Sequence, residues 1–432
     1  MDHFSYQNGE LFVEQTSAQS ICDQFGSPAY VYSERTLTEN YRTFESAFAG
    51  INPLICFSIK SCSNLSVLKH LVSLGSGMDV VSGGELFRAL KAGVSTDKIV
   101  FAGVGKSHDE LRYAIESGVY LFNIESEPEL ERLAALAEEA GRTVKAAIRI
   151  NPDISDAGTH AKTSTGGRHT KFGVPLERAR VLFCSDLYPF VDITGIHIHL
   201  GSPIPSTETY LRAIDRVEAL IDEVESQGAK IELLNIGGGY PAAYHTDNTV
   251  PQSISSIGEQ ISERLQRLRN KGKTFIIEPG RSISANSGIL LTSVEYVKQG
   301  WDREITILNA GMNILLRPTL YNADHVIWPA SCQGFNGHWS ELISAQTETQ
   351  CTDIVGPICE TGDYFALGRQ MPPMQSGDLI AVFSCGAYSM SMASQYNSRV
   401  RPAEVMVSGN DCRLIRQRES YEDLISHEYG LM

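Results

Sequence analysis

Between about residues 54 and 284 the chain alternates two textures. Short runs of β-branched and other apolar residues are separated by stretches whose apolar positions recur at spacings of three and four. The runs are LICFSI (54–59), GMDVV (77–81), KIVFAG (98–103), YLFNI (120–124), VKAAIRI (144–150), ITGIHIHLG (193–201), IELLNIGGG (231–239) and TFIIEPGR (274–281). Helical stretches such as GGELFRALKAG and EPELERLAALAEEAG lie between them, and Gly75, Gly93, Gly118, Gly141 and Gly228 stand where helices should stop. Strands alternating with helices predict βαβ units and a parallel sheet. About eight repeats point to a closed (β/α)8 TIM barrel rather than an open doubly wound sheet. No GxGxxG follows the first run, so a dinucleotide fold gains no support.

After residue 285 the pattern changes. ILLTSVEYV, EITILNA, DLIAVFSCGAY and AEVMVSG follow one another with few long helical stretches between them, which predicts a second, mostly antiparallel β-sandwich or barrel domain. The N-terminal ELFVEQ is expected to add a strand to it. The expected domains are therefore 33–284 for the barrel and 1–32 plus 285–432 for the β domain. The polar, Gly-containing stretch HAKTSTGGRHTKFG (160–173) is the segment expected to be mobile.

Composition narrows the function. With 432 residues, two domains are the prior expectation. A net charge of −15 argues against binding a phosphate backbone, while leaving room for a local cationic pocket for small anions. Nine cysteines without CxxC spacing fit a reduced, cytoplasmic protein and no zinc site. The first residues lack the charged and apolar blocks of a signal peptide, and no apolar run reaches the roughly 18 residues of a membrane span.

Barrel active sites form at the C-terminal ends of the strands, and four of the runs end in polar residues there. The first ends in Ser58-Ile59-Lys60-Ser61. A lysine desolvated in the barrel mouth would carry more free amine to attack a carbonyl; the plain alternative is a surface lysine. The sixth ends in His197-Ile198-His199-Leu200-Gly201-Ser202, and alternation puts both histidines on one side, as core residues or as site residues. The seventh ends in Gly237-Gly238-Gly239 and the eighth in Glu278-Pro279-Gly280-Arg281. Loops after strands seven and eight are frequent phosphate sites, and arginine offers a bidentate fork for anions. A Schiff-base lysine, a phosphate cup and a carboxylate for a pyridine nitrogen together point to pyridoxal phosphate.

With these residues in order, the chain resembles the fold-type III pyridoxal-phosphate decarboxylases, most closely those that act on diaminopimelate. The resemblance runs from GSPAYVYS (26–33) to RPAEVMVSG (401–409). It implies that Lys60 holds the cofactor covalently, that His199 stacks on its ring and that Ser202 lies near its phosphate. It further implies that Gly237, Gly238, Gly239, Gly280 and Arg281 form the phosphate cup, with Glu278 on the pyridine nitrogen. Arg281 and Arg317 in LLRPTLY match residues that hold substrate carboxylates, with Tyr321 beside them. Tyr388 in CGAYSMSMASQYNSR matches a tyrosine touching phosphate and substrate. Cys359 and Glu360, in IVGPICETGDYFALGR, match a proton donor and an amine-binding acid reached from the opposite subunit, which implies a homodimer with shared active sites. The chain departs from the family pattern at Pro203, where an amide is usual, and at Asn309 and Ile314, where Asp is usual.

The reaction expected from this resemblance is loss of carbon dioxide from the α-carbon of an amino acid, followed by return of a proton. An unperturbed thiol, with a pKa of about 8.5, is mostly protonated at neutral pH, which suits Cys359 to that return. Meso-2,6-diaminopimelate has a distal ammonium and a distal carboxylate, for which Glu360 and Arg317 are matched partners, and its product is L-lysine. Ornithine, lysine or carboxynorspermidine decarboxylation on the same fold are the alternatives, followed by a non-catalytic cofactor-binding homologue. No metal is expected.

Overall fold

The computed structural model describes residues 2–154, 156, 158–183, 187–244, 251–344, 348–429 and 431. They divide into two compact units, one made of residues 40–242 and 251–282, the other of 1–39, 243–250 and 283–432.

The first unit is the barrel. Its parallel strands are Leu54–Ser58, Gly77–Val80, Ile99–Phe101, Leu121–Ile124, Val144–Asn151, Val191–His197, Leu233–Asn235 and Thr274–Ile277. Each pairs with the next in chain order, and the last pairs with the first through Ile276 opposite Leu54 and Ile277 opposite Ile55. The ring therefore closes among the described residues. Cys56, Val100, Leu121, Ala147, Leu233 and Ile276 form one buried apolar cluster of the barrel. Helices run between the strands because their sequences carry both an apolar face and caps. Ser107 and Glu110 form a reciprocal capping box at the start of His108–Ser117. Gly93 and Gly118 close their helices in the left-handed conformation, which costs a residue with a Cβ more.

The second unit is mostly antiparallel β structure. One sheet runs Tyr364–Met371, Gln350–Val355, Glu304–Leu308, Gly288–Gln299, Ala29–Ser33, Ala403–Ser408 and Asp411–Arg416, with Leu379–Val382 branching from Gly288–Gln299 and Ile327–Pro329 pairing in turn with Leu379–Val382. Two of its pairings are parallel, Glu304–Leu308 with Gln350–Val355 and Ala29–Ser33 with Ala403–Ser408. As expected, the N-terminal residues Glu10–Val13 form a strand that groups with this unit. Glu10–Val13 enters a separate four-stranded sheet with Phe4–Gln7, Thr16–Ser17 and Gly337–His338, while Ala29–Ser33 takes a central place in the large sheet. The reason is visible in AYVYS: all five residues are buried, and the two tyrosines still satisfy their hydroxyls, Tyr30 on Ile314 O at 2.6 Å and Tyr32 on Glu404 Oε1 at 2.8 Å.

The 160–173 stretch makes several hydrogen bonds to the barrel mouth. Thr165 donates through Oγ1 to His199 O at 2.7 Å and through N to Leu200 O, and Ile154 N donates to Gly166 O. Gly173 N donates to Glu125 Oε2 at 2.9 Å. Its polar composition satisfies backbone groups at the barrel mouth rather than facing only water.

Candidate active site

In the barrel unit, the strand ends bring together the residues singled out from the sequence. Lys60 sits in the turn after Leu54–Ser58 and donates from Nζ to Asp79 Oδ2 at 2.7 Å. The expectation of a desolvated, free amine is corrected here: the Lys60 side chain is 33% exposed and an ion pair with a fully buried carboxylate holds its ammonium. Ser58 Oγ donates to the same Asp79 oxygen at 2.7 Å. Burial and the Glu278 charge raise the Asp79 carboxyl above the usual carboxylate range, against the opposing pull of Lys60.

Glu278 follows the last strand and is buried. Its Oε1 accepts from Asn235 Nδ2 at 2.6 Å and from Asn123 Nδ2 at 3.2 Å. His197 Nε2 lies 3.4 Å from the other oxygen, Oε2. Burial alone would raise the Glu278 carboxyl, but the His197 ring and then Lys60 outweigh it and hold the group well below the usual range. Glu278 is therefore ionised in a place where water does not stabilise it.

The two histidines of HIHLG do different work. The strand stops at His197, so the simple alternation expected from the sequence ends there and His199 lies in the turn beyond. Its Nδ1 accepts from Gly238 N at 3.0 Å, which leaves the proton of the neutral ring on Nε2. Burial, then the Arg149 and Lys60 cations, push His199 well below the ordinary imidazole range, so the ring is neutral. Arg149 itself is pinned by Glu125 Oε1 at 2.5 Å and donates to His199 O at 3.3 Å.

The glycines of IGGG answer first to their own backbone. A Cβ at Gly237 would lie 2.3 Å from Ile198 O, at Gly238 2.2 Å from Glu278 O and at Gly239 2.4 Å from Gly201 O. Close chain packing thus demands glycine with or without a phosphate nearby. Gly280 packs against Ser58 and Ser61, and Arg281 donates from Nε to Ser202 Oγ at 3.1 Å. An amine, an ionised buried carboxylate with one oxygen uncommitted to an amide, a neutral imidazole and an arginine beside a hydroxyl are the donor set that pyridoxal phosphate requires. The residues fit that group.

Arg317, Tyr321, Cys359, Glu360 and Tyr388 belong to the β unit. Arg317 opens the short helix Arg317–Tyr321; it is buried, with its guanidinium 5.4 Å from the Tyr244 ring centroid. Cys359 and Glu360 sit in the loop joining strands Gln350–Val355 and Tyr364–Met371, and both are exposed. The loop is built by its other acid. Asp363 is buried and accepts from Met312 N and Ile358 N, each at 2.6 Å. Cys359 N donates to Asn397 Oδ1 at 2.9 Å, and the Tyr396 hydroxyl donates to Glu360. Tyr388 has φ of 55°, a strained backbone for a residue of its size. Among the departures from the family pattern, Asn309 anchors strand Gly288–Gln299 by accepting from Thr292 Oγ1 at 2.7 Å and Ser293 N at 3.1 Å.

Asp79, Asn123, Asn235, Arg149 and Glu125 were not marked by sequence reasoning. Asp79, Asn123 and Asn235 are single polar residues inside otherwise apolar barrel strands, and Arg149 is the one buried charge of a strand that also carries Lys145 and Asn151, a signal that periodicity alone reads as noise.

Residues 34–285 match the family described as pyridoxal-dependent decarboxylase, pyridoxal binding domain. The chain is 41% identical to a diaminopimelate decarboxylase of Pseudomonas fluorescens, over 99% of each. It is similar in structure to diaminopimelate decarboxylase from Helicobacter pylori complexed with L-lysine, at a TM-score of 0.87 and 36% identity, covering 96% of this chain and 100% of that one. It is likewise similar to the M. jannaschii enzyme in co-complex with L-lysine, at a TM-score of 0.90 and 32% identity, over 99% of this chain and 98% of that one.

Proposed function

The chain belongs to the diaminopimelate decarboxylases, within the pyridoxal-dependent decarboxylase family, and from that premise we propose how its own residues carry the reaction. It is a carboxy-lyase that uses pyridoxal phosphate and converts diaminopimelate to lysine and carbon dioxide. The meso-2,6 isomer is the proposed substrate, and L-lysine as the product requires that the carboxylate lost be the one on its D centre.

The observation that carries the assignment of roles is the meeting of Lys60, Asp79 and Glu278 at one end of the barrel. The cofactor, when bound, supplies a cationic ring that accepts the electron pair left when the carboxylate departs. Lys60 is the residue that holds it, and Asp79, raised above the usual carboxylate range, is the nearest group to take the proton that the ammonium must first lose. Glu278 keeps a proton on the ring nitrogen, His199 supports the ring face, and Ser202, the glycines 237–239, Gly280, Arg281 and Tyr388 receive the phosphate. Arg281, Arg317, Tyr321 and Tyr388 orient the substrate. Glu360 takes its distal ammonium, and the Cys359 thiol gives a proton to the α-carbon. These last two act on the partner's site in a cytoplasmic homodimer. Their exposure in the single chain supports this, because a solvent-exposed carboxylate is screened and selects a distal amine poorly until a partner covers it. Among the described residues no helix is long and apolar enough to cross a membrane.

A product assay across meso-diaminopimelate, its stereoisomers, ornithine and lysine tests the reading. Carbon dioxide release fastest from the meso diacid is expected; faster release from ornithine or lysine would overturn it.

A further inference from the structure

Two amides converge on a single oxygen of Glu278. Asn235 Nδ2 and Asn123 Nδ2 both reach Oε1, at 2.6 and 3.2 Å, and all three side chains are buried. The orientation of Asn235 is over-determined, since its Oδ1 accepts from Gly237 N at 2.9 Å and only its NH2 can then face the carboxylate. Asn123 is fixed through its backbone. The buried Lys106 ammonium donates to Asn123 O at 2.8 Å, to Gly103 O at 2.9 Å and to Glu129 Oε1 at 2.6 Å. Among the described residues the Asn123 Oδ1 has no partner, a cost that an apolar residue of similar size would avoid. That residue is kept for its donor.

We propose that Asn235 and Asn123 are positioning residues that saturate Glu278 Oε1, so that the acid stays ionised and presents Oε2 alone to the cofactor's ring nitrogen. With both acceptor directions of Oε1 used, a proton has no place there, and hydrogen bonds to the charged form favour it. Asn235 does a second thing. Through Gly237 N it links the carboxylate to the glycine turn, so one side chain sets the spacing between the groups for the ring nitrogen and for the phosphate. Lys106 and Glu129, an ion pair with no part in the reaction, lock the peptide that carries Asn123. The other ionisable groups around Glu278 are His197, His199, Lys60, Asp79, Cys56 and Tyr240.

This inference rests on Glu278 as the ring nitrogen's partner, and the test separates the two. Asn235→Asp keeps the acceptor for Gly237 N and replaces the donor by a second carboxyl beside Glu278. Cofactor affinity is measured by titrating pyridoxal phosphate into protein stripped of it, from pH 6 to 8, with the visible absorbance of the bound form followed alongside. At pH 8 the variant should bind about tenfold more weakly than the unaltered protein, and the deficit should shrink toward pH 6 as the new carboxyl protonates and regains a donor, since two adjacent carboxylates raise one another's pKa. A role in folding alone would give a deficit that does not vary with pH. Binding within twofold at pH 8, or a pH-independent loss, overturns the proposal. Asn123→Asp, whose contact is longer, should show the same trend at smaller amplitude and serves if Asn235→Asp does not fold. Glu278→Gln is run in parallel. If it binds and absorbs like the unaltered protein, the underlying role of Glu278 fails as well; if it is impaired while both Asn variants are not, only the present inference falls.

Discussion

At the scale of single residues the barrel mouth shows how charge is kept inside a protein without solvent. Asp79 and Glu278 are both fully buried carboxylates, yet their carboxyls move in opposite directions, Asp79 up and Glu278 down. The difference lies in partners. Glu278 has two amides and a histidine close by, whereas Asp79 Oδ1 has no hydrogen bond among the described residues and the group answers to one lysine and a hydroxyl. A third acid, Glu85, shows the cost of this crowding. Burial raises it to about 7, only partly offset by the hydrogen bond from Val81 N at 2.9 Å. The sign follows from linkage: a carboxyl raised in the folded state holds its proton more tightly there than in the unfolded chain. Its contribution is therefore fully present below about pH 4.5 and is lost as pH rises through about 7. Glu85→Gln retains an acceptor for Val81 N and carries no charge. The variant should be about as stable as the unaltered protein near pH 5 and more stable at pH 8, by on the order of 2–3 kcal/mol, read as a higher melting temperature at pH 8. Equal melting curves at both pH values would show that Glu85 is solvated enough to ionise freely.

At the scale of elements, the loop 356–363 explains its own composition. Its Gly-flanked cluster of a thiol and two acids looks like one functional group, but the residues divide. Asp363 turns inward and supports the turn by accepting two backbone N–H groups, and Gly356 and Gly311 leave room for its carboxylate, since a Cβ at either would come within 2.4 or 2.9 Å of Asp363 Oδ2. Cys359 and Glu360 turn outward. Asp363→Ala would leave two buried donors unpaired, a loss of about 1–3 kcal/mol for each. The expected outcome is a lowered melting temperature with a KM for substrate raised more than tenfold, while cofactor absorbance in the barrel stays close to that of the unaltered protein. If substrate KM is unchanged, the loop does not serve substrate binding. Sequence reasoning saw this loop through its motif but could not tell inward from outward acids, because that depends on the distant Met312 backbone. The same limit hid the placement of Ala29–Ser33. Residues up to 32 were expected in the β domain, but not which strands AYVYS would lie between, and only its pairing with residues 288–291 and 403–407 decides that. The barrel strands were legible because eight apolar runs at regular spacing leave few other solutions. The polar residues inside them, Asp79, Asn123 and Asn235, were not, because one polar letter in a buried strand does not reveal which partner across the barrel will satisfy it.

At the scale of the whole molecule, the single chain divides its proposed chemistry between two compact units, with all the cofactor groups but Tyr388 in one, and Tyr388, the proton donor and the amine-binding acid in the other. If Cys359 and Glu360 serve the partner's barrel, the two units of one chain need not form a complete site, and the functional object is the pair of chains. Closed two-fold symmetry then gives two identical sites, each drawing Lys60 from one copy and Cys359 from the other. This arrangement has a measurable arithmetic. Lys60→Ala and Cys359→Ala proteins are each inactive as pure dimers. Mixed in equal amounts and allowed to exchange subunits, half the dimers are hybrids, and in each hybrid one site carries both defects while the other carries neither. Activity should rise to about a quarter of that of unaltered protein at the same total concentration. The active site of each hybrid should show the KM of unaltered protein, because it is the one built entirely from intact residues. If the mixture stays inactive while chemical cross-linking shows that subunits have exchanged, Cys359 serves the barrel of its own chain. The exposure of the loop would then call for another cover than a second copy.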